Sequence, residues 1–108
     1  MLDTTELTAV ADRFADRLRV APQSRLQRGA AAEALALARE LSLRAQRIEA
    51  PEQQPRTMPD VGLFAVGDQL LVATADLAEA LRTAPSPRSA EVDEAVVLVR
   101  AAMERAFA

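Results

Sequence analysis

The chain has 108 residues and contains no cysteine, histidine, lysine, tryptophan or tyrosine. Without cysteine it can form no disulfide framework, no thiol nucleophile and no thiolate metal site. Without histidine it lacks the usual general base, zinc ligand and pH switch. A ferritin-like di-iron centre, which needs Glu-x-x-His pairs, is excluded on the same ground. Without lysine there is no Schiff-base chemistry and no phosphate-binding loop of the Walker type. Three phenylalanines are the only aromatic residues, so the core has to be built from Leu, Val and Ala. Alanine leaves little volume between packed elements and is the best helix former, which favours closely approaching helices over strands.

No stretch approaches the ~20 apolar residues of a membrane span, and no basic segment followed by an apolar one opens the chain. The expectation is a cytoplasmic protein without membrane contact. All thirteen positive charges are arginine, against sixteen acidic residues, for a net charge of −3. A GC-rich coding sequence accounts for that bias, and the sign of the net charge argues against a nucleic-acid binder. Arginine also pairs well with carboxylates.

Prolines divide the chain into four pieces. From Thr5 to Val20, residues Leu7, Val10, Phe14 and Leu18 recur at three- and four-residue spacing, one face of a helix. Asp3, Thr4 or Thr5 can cap its start, and Arg17 and Arg19 suit its end. From Pro22 or Ser24 to Glu49, a stripe of Leu26, Ala30, Ala34, Leu37, Leu41, Ala45 and Ile48 predicts the longest helix, with Glu40 and Arg44 as a favourable i,i+4 pair. Gly29 beside Ala30, Ala31 and Ala32 offers a flat surface for a neighbouring helix. The run 50–59, with three prolines and no periodicity, reads as a loop and as the most mobile segment.

The third piece, 60–83, supports two readings. Leu63, Val66, Leu70, Leu77 and Leu81 form a helical stripe, with Phe64, Leu71 and Ala78 beside it and Asp60 as a cap. Alternatively, 63–66 and 70–73 flank Gly67-Asp68-Gln69 as a hairpin. The helix is preferred, because no third strand is available to support a hairpin. The last piece, from Pro87 or Ser89 to Phe107, carries the stripe Val92, Val96, Val99, Met103 and Phe107, with Ser86 or Ser89 as its cap. The reading is an all-α, up-down four-helix bundle, one domain over 1–108, with a hairpin at 63–73 as the alternative for part of helix 3.

No catalytic, metal or nucleotide motif is present, and no cofactor is implied. The carboxylate cluster Glu91, Asp93 and Glu94 falls in the first turns of a helix, where negative charge suits the dipole. Residues 13–56 hold nine arginines against five acidic residues, and residues 57–108 hold four against eight. The two halves can therefore complement one another, within a monomer or between subunits, and select helix register and partner. Leu35 and Leu43 on the second helix, and Val97 and Leu98 on the fourth, lie outside the main stripes and are the candidate interface. The resulting expectation is a helical interaction module of a bacterial-type cytoplasm, an adaptor, regulator or structural protein. Its partner would be itself, as a homodimer, or another helical protein. The alternative is a ligand-binding or catalytic bundle in which Arg13, Arg17, Arg39 or Arg44 line an anion pocket.

Overall fold

The structure is a computed structural model that describes residues 2–108. Four long helices carry the chain: α1 (Thr5–Val20), α3 (Ala31–Glu49), α4 (Val66–Thr83) and α5 (Ser89–Ala106). A short helix, α2 (Gln23–Arg25), and a π turn (Leu26–Ala30) lead into α3, and a 3-10 turn (Leu63–Ala65) leads into α4. No strand occurs among the described residues, so 63–73 is not a hairpin. The all-α four-helix bundle is what the chain forms.

Each stripe read from periodicity faces inward. Leu7, Val10, Phe14 and Leu18 of α1 meet Leu37 and Leu41 of α3, Leu70, Leu77 and Leu81 of α4, and Val92, Val96 and Val99 of α5 in one continuous buried cluster. Asp3 closes the start of α1 by accepting the Thr5 backbone N–H at 2.9 Å. Hydrogen bonding from the Thr5 side chain, and then from that N–H, holds the Asp3 carboxyl below its ordinary pKa. Neither Ser86 nor Ser89 caps α5; Arg88 takes the cap position, its side chain bonding the Glu91 carboxylate of the first turn and no backbone N–H.

The helix directions follow from contacts at the helix ends. Arg19 meets Asp68 at 2.7 Å, and Arg82 donates to the Thr4 hydroxyl at 2.7 Å, so α1 and α4 run antiparallel. Arg44–Glu94 and Arg105–Glu33, each 3.0 Å, make α3 and α5 antiparallel as well. Leu35 near the start of α3 shares a recess with Val66 at the start of α4, while Ile48 near its end shares one with Leu77 and Leu81. Hence α3 and α4 are parallel. Glu6 reaches Arg100, and Arg17 covers Phe107, so α1 and α5 are parallel too. Around the bundle the order is α1, α4, α3, α5, with α1 and α3 on one diagonal. This refines the path of the expected bundle to up-down-down-up.

The long connection makes that path possible. An extended run over 50–62 can reach roughly 40 Å, more than the roughly 28 Å of the nineteen-residue α3. It turns back along α3 instead of standing free. Gln46 exchanges two hydrogen bonds with the Arg56 backbone at 2.9 and 2.8 Å, Arg39 donates to the Met58 carbonyl at 2.8 Å, and Gln69 to the Pro59 carbonyl at 2.7 Å. The segment expected to be most mobile is therefore pinned at three places. Asp60 does not cap α4, which begins six residues later; its carboxylate accepts the Gly62 N–H at 3.0 Å.

Two glycines act in different ways. Gly67 is buried against α1, where a Cβ would make ordinary contact, at 3.6 Å, with the Ala15 carbonyl oxygen and the Arg19 side chain. At Gly29 a Cβ would meet nothing within 4 Å, so of the flat surface expected there Ala30 and Ala31 pack into the core while Gly29 itself touches no helix. Its φ of 146° instead bends the predicted second helix at the π turn. L side chains resist that conformation. Gly29→Ala is therefore expected to lower stability by about 1–2 kcal/mol, read as a lower midpoint in thermal unfolding; an unchanged midpoint would mean that the bend is dispensable.

Candidate functional site

The four apolar residues expected to form an interface do not gather on one surface. Leu35 is only 8% exposed, in a recess it shares with Leu63 and Val66 where the returning chain enters α4. Leu98 packs on the core. The register set by Arg44–Glu94 and Arg105–Glu33 places it on the α3–α5 seam, between those two ion pairs. Leu43 is half-buried on the outer side of α3, with Arg39, Glu40 and Arg47 one turn away. Val97 is exposed on α5, with Asp93, Glu94 and Arg100 one turn away. Each of these last two stands among charges.

The apolar surface lies elsewhere. Phe64 is 76% exposed, Val61 61% and Val72 56%, all within twelve residues at the entrance and outer side of α4. Leu71 beside them is half-buried. The 3-10 turn sends Leu63 toward α3 and leaves Phe64 on the opposite, solvent side, two turns from Val72. The available signal was the position of Phe64 and Leu71 beside the stripe of α4 and not within it. Reading 60–65 as helix concealed it, since a full helix would have spread those side chains around the axis.

The arginines divide into paired and unpaired groups. Arg44 bonds Glu40 at 2.7 Å and Glu94 at 3.0 Å. Burial opposes its charge, yet the hydrogen bonds it donates to Glu94 and Glu40 leave its pKa raised. It is a bridge between α3 and α5, its charge already matched. Arg39 is spent on the Met58 carbonyl. Arg13 is exposed on α1, one turn from Arg17, whose guanidinium lies 4.1 Å from the centre of the Phe107 ring. These four arginines do not converge. Positive charge of the first half meets negative charge of the second inside one chain, through Arg44–Glu94 and Arg19–Asp68.

A recess of about 280 Å³ opens where α3, α4 and α5 meet, floored by Ile48, Leu77 and Leu81 and rimmed by Glu40, Arg44, Arg47, Arg88 and Glu91. Arg88 holds both Glu91 oxygens at 3.2 and 3.0 Å, while its buried Nε has no partner among the described residues. Glu91 and Glu94 are thus engaged by different arginines, and Asp93 is exposed. The carboxylates of that cluster are held apart, which leaves no pair poised for acid–base exchange. Among the described residues, no three Asp or Glu side chains gather as a metal site. Among the described residues, no helix is long and apolar enough to cross a membrane. The chain matches no family model, no curated protein and no solved structure.

Proposed function

We propose that this protein is a helical protein–protein interaction module of a bacterial-type cytoplasm, an adaptor or regulator, which pairs with a second copy of itself across the outer side of α4. The observation that carries this reading is the exposure of Phe64 together with Val61 and Val72. The bundle already buries a continuous core without them, so they contribute nothing to the fold that would explain their character. Aromatic residues are enriched in contact surfaces, and here an exposed ring stands with two exposed valines within twelve residues of chain. A second copy is favoured because two-fold pairing of identical chains is the commonest soluble assembly. Asp68, one turn from both Phe64 and Val72 and paired with Arg19 at 2.7 Å, stands between them, so this surface mixes apolar and charged groups.

Sedimentation velocity over a range of about 5–200 µM tests the pairing, since a dimer of this kind is concentration-dependent. The expected result is a dimer that the double variant Phe64→Asp, Val72→Asp converts to monomer with little change in thermal midpoint. A wild-type monomer at every concentration would sink the reading, and so would a double variant that sediments like the wild type.

A further inference from the structure

At the end of the bundle opposite the Arg88 recess, three arginines without an ion-pair partner among the described residues come together, two of them, Arg25 and Arg28, also bordering a second recess with Glu33 and Arg105. Arg17, Arg25 and Arg28 line a recess of about 390 Å³ whose remaining walls are apolar, with Val20, Pro22 and Phe107 among them. No acidic side chain lines it. Six other arginines, 19, 44, 82, 88, 100 and 105, each meet a carboxylate, but none of these three is in an ion pair among the described residues. In a chain of net charge −3 this is a local excess against the overall sign.

The three side chains are also positioned. Phe107, itself edge-on to Phe14 at 6.1 Å, sits under the guanidinium of Arg17 and fixes where its charge stands. Arg25 is half-buried, which limits its rotamers, and the Nε of Arg28 leans on the Ser24 carbonyl at 3.4 Å. The bend at Gly29 turns the Arg25–Arg28 segment off the axis of α3, and Arg25 and Arg28 share the recess with Arg17 and Val20 of α1. Three cations sharing one concavity repel each other until an anion joins them, and guanidinium groups match phosphate oxygens with paired hydrogen bonds.

We infer that this recess is a binding site for a small organic phosphate, its phosphate group between Arg17, Arg25 and Arg28 and its carbon skeleton against Val20 and Pro22. The site lies apart from the outer side of α4 and does not depend on self-pairing. Isothermal titration of the full chain with inorganic pyrophosphate at 0.15 M salt is the test, where charge attraction is screened over about 8 Å and binding by net charge alone is suppressed. The expected result is saturable binding with Kd below about 1 mM. Arg25→Gln with Arg28→Gln weakens it by about tenfold or more, while Arg47→Gln with Arg56→Gln, the same change in net charge elsewhere, alters it less than about twofold. The inference is overturned if pyrophosphate shows no saturation, or if both double variants weaken it equally. It is likewise overturned if a single-stranded oligonucleotide binds through Arg25 and Arg28 while pyrophosphate does not, because that outcome assigns the surface to nucleic acid. The Phe64→Asp, Val72→Asp variant is expected to bind pyrophosphate as the wild type does, which keeps a failure of the pairing distinct from a failure of this site.

Discussion

Phe14→Ala is expected to lower the folding stability by about 3–5 kcal/mol, the range for deleting a buried ring. Phe14 is fully buried near the middle of α1 and is the largest side chain in the core. The rest of that core is Leu, Val and Ala, whose short side chains cannot swing into the space a ring leaves, so most of the cavity persists. The ring also supports Phe107 edge to face, at 6.1 Å and an interplanar angle of 76°, and through it the guanidinium of Arg17. Total stability of a domain this size is about 5–15 kcal/mol, so the loss takes a large share. A fall in thermal midpoint of at least about 12 °C is expected by calorimetry. Phe64→Ala provides the contrast, because that ring is 76% exposed and its removal from the monomer should change stability by only about 0.5 kcal/mol. Equal effects of the two substitutions would contradict the placement of both rings.

Ala38→Leu is expected to destabilise by about 1–3 kcal/mol for the opposite reason, too much volume. Ala31, Leu35, Ala38 and Ala45 follow one line along α3. Ala31 and Leu35 share a recess with Val66, and Ala45 shares one with Asp76, so the line faces α4 along its length. Ala38 lies between them with no exposure, and Ala73 and Ala80 on α4 are equally buried. Parallel α3 and α4 approach closely because these positions are small, and a Leu at 38 has no gap to enter. Ala36 is two residues away on the exposed side of the same helix, so Ala36→Leu should stay within about 0.5 kcal/mol. Chemical denaturation of the two variants checks the pair. Similar midpoints would mean that α3 and α4 do not meet along this line.

How much of this was legible in the residues differs from element to element. α1 and α5 matched their expected spans closely, since a 3.6-residue period with polar residues between is a local property. The start of α4 was misplaced by six residues. Asp60 after Pro59 resembles a cap, but its carboxylate turned to the Gly62 N–H, and the chain still had to travel along α3 before entering α4. Gly29 was assigned to helix packing although it serves a bend, because sequence spacing carries no record of φ. Among the candidate site residues, Arg17 stands in the basic recess and Val97 is exposed. Leu35 is buried, in a recess it shares with Leu63, a residue nearly thirty positions away.

Residue choice alone settled the helical class, the inward face of each helix and the chemistries excluded by missing cysteine, histidine and lysine. Those outcomes depend on side-chain type and on periods of three to four residues, which are written in the chain directly. Only the packed bundle decided that α3 and α4 run parallel, that the proline-rich segment lies against α3, and that Phe64 faces solvent while Phe14 does not. It also decided which arginines met a carboxylate and which three were left around one recess. These depend on pairs of residues far apart in the chain, and their meeting is set by how the helices share one limited apolar interior.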